Sequence, residues 1–343
     1  MKATAIIFII VSACLFVALV FVTRVPTIKL LIRNKGKLRR ELTTIVSSIK
    51  DIPYESAFGD VSLDMYTPKN VCHPLPILLW VHGGGYVSGD KSGIEPWAHE
   101  LIARVDIAVV CINYNLAPQS RYPVPLYQIC EAVDYLRRHE REFSLHTDGI
   151  FIGGDSAGAQ IAAQFASLYF DSELRNRLKI PTDSLKTIAG AVLCCGFYDL
   201  RSARTARFPA IRTFIGTYIG KTHDMFSSET DLFSRLNSGF CDTFVSCGTR
   251  DPFFTQSKRL ATVLEEKNIA AEKFFPKEGH EFQFRIGSKN STAAADRVAE
   301  FIRSRIEKTF HGGDEKLIGD IQFHGGDNEL IEKAEDCTPN TPT

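Results

Sequence analysis

Two hydrophobic rhythms divide the chain. Ala3 to Thr23 is one long apolar run, interrupted only by Thr4, Ser12 and Thr23 and free of charge. From about Ile52 onward the pattern becomes short apolar stretches alternating with helical ones. Val61–Tyr66 alternates with period two, and Ile77–Val81 is continuously apolar. Ile107–Asn115, Gly149–Gly153, Thr187–Phe197, Asp242–Cys247 and Ala271–Phe275 also read as strands. Helices are expected over Pro96–Val105, Leu126–Arg138 and Ala157–Phe170, with one more between the last two strands. A final helix carries Val298, Phe301, Ile302 and Ile306 on one stripe. Continuous apolar strands alternating with amphipathic helices predict a largely parallel sheet covered on both faces, an α/β domain.

The expected organisation is a membrane anchor over 1–23, a basic juxtamembrane segment over 24–50, a catalytic domain over 51–309 and a polar tail over 310–343. Within the domain, 200–240 breaks the alternation. It carries Phe208, Phe214, Tyr218, Phe226 and Phe233 with Pro209, Gly216 and Gly220 as breakers, so it is either a cap over the sheet edge or a long crossover. In the tail, Phe310–Asp314 recurs as Phe323–Asp327. A duplicated solvated terminus accounts for it, and no chemistry is assigned there.

The run Ala3–Thr23 would reach about 31 Å as a helix, enough to span a bilayer core. It is longer than the usual apolar region of a cleaved signal and lacks a small-x-small site, so an uncleaved span is favoured. Arg24, Lys29, Arg33, Lys35, Lys37, Arg39 and Arg40 follow it before the first acid, Glu41. By the positive-inside rule the domain then lies on the cytoplasmic side. The sequon Asn290-Ser291-Thr292 points the other way.

Composition narrows the functional classes. With 40 Lys+Arg against 40 Asp+Glu the chain has no basic excess, which argues against a nucleic-acid binder. Nine cysteines are an odd number, with no CxxC pair, so neither a disulfide scaffold nor a zinc site is expected.

The chemistry is carried by four short segments. Gly154-Asp155-Ser156-Ala157-Gly158 is a G-x-S-x-G placed between an apolar strand and an alanine-rich helix. Glycines on both sides let a serine occupy a sharp strand-to-helix turn and project from the sheet edge. His82-Gly83-Gly84-Gly85 directly follows the strand Ile77–Val81. Such glycines leave backbone N–H groups open to a developing oxyanion, with Gly83 and Gly84 as the expected donors and Ala157 as the third. His82 is expected to fix that loop rather than to move protons. Downstream, Asp251 and His280 each fall just past a strand. Taken singly, they read as a turn residue and a solvated loop histidine. Together with Ser156 they lie at strand C-termini that share one sheet edge, where a nucleophile, base and acid can converge.

On these residues the chain resembles the α/β-hydrolase fold, and within it the carboxylesterases related to hormone-sensitive lipase. The HGGG of His82–Gly85, the GDSAG of Gly154–Gly158, Asp251-Pro252 and Gly279-His280 carry the resemblance, with NYNLAP at Asn113–Pro118 and Tyr122-Pro123 between them. It covers about Asp51 to Glu307. An amino-terminal span ahead of the domain also resembles the arylacetamide deacetylase arrangement, while His82–Lys91 is equally similar to small bacterial esterases and prenylcysteine methylesterases. The departure is the short basic segment before Val61, in place of a helical lid. The resemblance implies ester hydrolysis through an acyl-enzyme, with no metal or organic cofactor. Phe208, Phe214 and Tyr218 are expected to wall an apolar substrate pocket. An amidase using the same triad and a non-catalytic ligand-binding member of the fold are the alternatives.

Overall fold

The computed structural model describes residues 37–180, 187–205, 209–220 and 229–310. The apolar run 3–23, the tail 311–343, Phe208 and Phe226 lie outside the described residues. Among the described residues no helix is long and apolar enough to cross a membrane.

Among the described residues, eight strands form one sheet: β1 (Val46–Tyr54), β2 (Val61–Pro68), β3 (Leu75–Val81), β4 (Ala108–Ile112), β5 (Leu145–Asp155), β6 (Thr187–Cys194), β7 (Thr243–Ser246) and β8 (Ala271–Phe274). Their order is β1-β2-β4-β3-β5-β6-β7-β8. β1 and β2 are antiparallel to their neighbours, and every pairing from β4 to β8 is parallel. The helices are α1 (Glu95–Ile102), α2 (Val124–Arg138), α3 (Ala157–Phe170), α4 (Ser172–Arg177), α5 (Pro209–Ile219), α6 (Leu232–Arg235), α7 (Phe254–Glu266) and α8 (Lys289–Phe310).

The sheet separates two apolar layers, and strand pleating feeds both. Along β3, Ile77, Leu79 and Val81 point into the layer covered by α2, α3 and α7. Leu78 and Trp80 point into the layer covered by α1 and α8. The stripe Val298, Phe301, Ile302 and Ile306 is buried in that second layer as expected. Being covered on both faces explains why the central strands are continuously apolar rather than alternating.

One boundary differs from expectation. β1 runs through the junction placed at residues 50 and 51, so the sheet begins upstream of the anticipated domain start. This edge strand buries only Val46, Ile52 and Tyr54, and its register shifts between Ile49 and Ile52. With Lys50 and Asp51 at the irregularity, the period-two signal is erased. The stretch 200–240 is the β6–β7 crossover, and α5 within it lies over the glycine loop that follows β3, as the next subsection details.

The described cysteines divide into two kinds. Cys72 is disulfide-bonded, whereas Cys111, Cys130, Cys194, Cys195, Cys241 and Cys247 are buried free thiols. Asn290 of the sequon sits in the first turn of α8 and donates its amide to Glu278 Oε1 at 2.8 Å, a local tie between helix and loop.

Candidate active site

Ser156 stands between the end of β5 and the start of α3, with φ 52° and ψ −117°. A non-glycine residue at positive φ is disfavoured, so the turn must be held by its surroundings. Its N–H donates to Cys194 O at 2.8 Å, pinning the turn to β6. The flanking glycines let the helix approach. A Cβ on Gly158 would stand 2.0 Å from Val81 O, and one on Gly154 would stand 2.6 Å from the Gly158 backbone. Neither fits without moving main chain.

The three residues expected to converge do so. His280 Nε2 lies 3.1 Å from Ser156 Oγ, and His280 Nδ1 lies 2.7 Å from Asp251 Oδ2. The loops bearing acid and base are bound together by backbone hydrogen bonds, Thr249 N–H to Pro276 O at 2.8 Å and Arg250 N–H to Glu278 O at 2.9 Å. Gly248 permits that contact, because a Cβ there would meet Glu278 O at 2.2 Å. Asp251 is further held by the Phe253 N–H at 2.7 Å. The Phe253 ring stands edge-on to the imidazole, with centroids 5.1 Å apart. Burial works against a charge on His280, but the Asp251 hydrogen bond and the fields of Asp251, Glu281 and Asp155 outweigh it. Together they push the imidazole up to about 9.

The glycine loop is organised differently from the expectation in one respect. The Gly83 N–H, anticipated as an oxyanion donor, donates instead to Asp155 Oδ2 at 2.9 Å. The other oxygen of Asp155 accepts from the Trp80 indole at 2.8 Å. Gly83 therefore anchors the loop through this hydrogen bond. Among the described residues neither the Gly84 nor the Gly85 N–H donates to another backbone or side-chain group. Both residues have positive φ, 126° and 63°. Ala157 opens α3, so its N–H belongs to the first turn, which has no intrahelical acceptor. His82 fixes the loop, as expected. Its Nδ1 bonds Gly83 O at 2.7 Å, its ring stacks on Tyr114 at 4.5 Å, and Tyr114 Oη donates to His82 O at 3.0 Å.

Two of the three expected pocket aromatics are described. The Phe214 ring, from α5, lies 3.1 Å from the point where a Gly85 Cβ would stand. Tyr218 is buried and stacks on Tyr86 with centroids 4.1 Å apart; the Tyr122 N–H donates to Tyr218 O at 3.0 Å. α5 is thus bound to the glycine loop and to the segment before α2. Asp155, Gly85 and Gly248 leave little mark in the sequence. For Asp155 the only signal was its place inside the nucleophile motif. Gly85 was visible as the third glycine of its run, and Gly248 had no signal beyond being a glycine after a strand.

Cys195, at the end of β6 with φ 46°, brings its thiol near the acid and base. The ligand atoms of Cys195, Asp251 and His280 lie within 4.8 Å of one another. The carboxylate and the imidazole nitrogen are engaged with each other, and burial raises the Cys195 thiol well above its usual range. This donor set is arranged to hold a proton rather than a cation.

Comparison with known proteins agrees with this architecture. Residues 78–284 match the family model described as alpha/beta hydrolase fold. The chain is 32% identical over 142 residues to an esterase of Gibberella moniliformis, covering 41% of this chain and 45% of that protein. It thus spans less than half the length of that relative. It is 27% identical over 242 residues to an acetyl esterase of Salmonella schwarzengrund, covering 66% of this chain and 70% of the other. Among solved structures, a bacterial heroin esterase superposes with a TM-score of 0.64 at 22% identity, covering 76% of this chain and 84% of that one. Esterase B from Lactobacillus rhamnosis gives 0.70 at 16% identity, covering 86% and 98%. From the parallel sheet, the serine turn after β5 and the family match over most of the sheet, the chain belongs to the α/β-hydrolase fold family.

Proposed function

We propose that the chain is a serine carboxylesterase in which Ser156 is the nucleophile, His280 the general base and acid, and Asp251 the orienting carboxylate. The observation that carries this reading is the continuous relay Asp251–His280–Ser156, with contacts of 2.7 and 3.1 Å at a strained turn on the sheet edge. The esterases among its relatives support the ester as the bond cleaved.

Ser156 Oγ attacks the ester carbonyl carbon as its proton passes to His280 Nε2. The carbonyl oxygen, now anionic, receives N–H groups of Gly84, Gly85 and Ala157, each worth about 3–4 kcal/mol of transition-state stabilisation. Asp251 keeps the proton on Nδ1 and stabilises the imidazolium. The intermediate collapses, the alcohol leaves with the proton from Nε2, and Ser156 holds the acyl group. Water then loses a proton to His280, attacks the acyl carbon and releases the acid, restoring Ser156. Phe214 and Tyr218 wall the side of the site facing α5.

We also propose that residues 3–23 anchor the enzyme in a membrane, a reading supported by the length and apolarity of that run. The basic residues after it favour a cytoplasmic domain; the Cys72 disulfide favours an oxidising face. Protease protection of intact vesicles reads the side directly.

The test of catalysis is active-site labelling. A fluorophosphonate should label the wild type and not Ser156→Ala, and matched aryl esters should turn over where aryl amides do not. Labelling that survives Ser156→Ala, or preference for the amide, overturns the reading.

A further inference from the structure

Glu281 directly follows the proposed base, and its backbone is left-handed, with φ 53° and ψ 37°. A glutamate gains nothing locally from that conformation, which glycine adopts far more readily. Its effect is to turn the side chain back into the site. Oε1 lies 3.7 Å from His280 Nε2, and the side chain is only 21% exposed. The same oxygen lies 3.2 Å from where a Gly83 Cβ would stand, beside the loop anchored by Asp155. The imidazole therefore has a carboxylate near each nitrogen, Asp251 at Nδ1 and Glu281 at Nε2, the second sharing its edge with Ser156 Oγ.

The mechanism above uses only Asp251. We propose that Glu281 is a positioning residue for His280, a second carboxylate that holds the imidazolium formed during attack and sets the pH at which free base becomes available. This rests on the catalytic assignment of Ser156 and His280. Each packed element presents its own group to the imidazole. Asp251 comes from the loop after β7, Asp155 from the end of β5, Glu281 from the loop after β8, and the Cys195 thiol from the end of β6. The loop before α7 presents the uncharged ring of Phe253. Asp251, Glu281 and Asp155 are all acidic, so their fields favour the protonated ring. Arg285, further along the same segment, is engaged with Glu278 at 3.0 Å. General-base catalysis needs the neutral ring, so the acid limb of kcat/KM follows its loss of charge. Glu281 moves that limb upward, in exchange for a better-held imidazolium.

The test compares the full chain with Glu281→Gln, Glu281→Asp and Glu281→Gly, measuring kcat and KM on an aryl acetate across the acid limb, with fluorophosphonate titration of active sites. In Glu281→Gln the limb should move down by about one pKa unit, raising the free-base fraction below it about tenfold. Glu281→Asp should fall between, and Glu281→Gly should match Glu281→Gln in pH profile while melting higher, because the left-handed strain is relieved. A limb that coincides with wild type in both Glu281→Gln and Glu281→Gly, or a change confined to KM, overturns the proposal. Those results leave Ser156 labelling intact, whereas a wild type that neither turns over ester nor labels removes the catalytic assignment as well.

Discussion

Asp155 and Gly83 are joined across the sheet edge by a 2.9 Å hydrogen bond from a loop N–H to a buried carboxylate. The residue before Ser156 thereby fixes the glycine loop, and the Trp80 indole holds the other oxygen at 2.8 Å. Nucleophile turn and glycine loop are built as one unit, although they come from different strands.

Replacing Asp155 by Asn turns an amide NH₂ toward one of the two donors. The unmatched buried group should cost about 1–3 kcal/mol of stability, visible as a lower melting temperature. Fluorophosphonate labelling of Ser156 should slow in parallel. An unchanged labelling rate would mean that the glycine loop does not depend on this carboxylate.

Two glycines in the same domain should respond in opposite ways to alanine. Gly158→Ala places a Cβ 2.0 Å from Val81 O and should give little folded, active protein. Gly216, inside α5, has nothing within 4 Å of its Cβ position, so Gly216→Ala should raise stability by about 0.5–1 kcal/mol through helix propensity. Thermal melts of the two variants check both.

His280 links stability to pH. Its folded value is raised to about 9 from an ordinary 6.5, so its contribution is complete below about pH 6.5. That contribution is lost as pH rises through about 9, amounting to at most about 3 kcal/mol. Melting temperature should fall across that window, and His280→Gln should flatten the fall. A wild-type profile that rises over the same interval would contradict the assignment of charge.

Phe214 lies against Gly85, so truncating it should open space beside the acyl carbon. Phe214→Ala should shift preference toward longer acyl chains in a series of aryl esters. An unaltered chain-length profile would place the pocket elsewhere.

Much of this is legible in the sequence alone. Strand β3 and helix α3 were readable because each is uniformly apolar and bounded by glycines, and Ser156, Asp251 and His280 because parallel strands deliver their C-terminal loops to one edge. β1 was not legible, since a half-solvated edge strand with a register shift carries almost no periodicity. The choice between Gly83 and Gly85 was also beyond the sequence. Which N–H of a glycine run remains open depends on where a distant carboxylate reaches, and Asp155 meets the loop only across the folded sheet. Glu281 was equally hidden, because a left-handed φ leaves no mark on residue spacing.

Among the described residues, α5 of the crossover between β6 and β7 meets the glycine loop through Phe214, while Ser156, Asp251 and His280 stand after β5, β7 and β8. On the proposed function, substrate range and bond-breaking power would then reside in separable parts of the molecule. Exchange of the α5 segment between related chains could diversify what is accepted while leaving the reacting groups undisturbed, which makes this stretch the natural handle for both divergence and engineering.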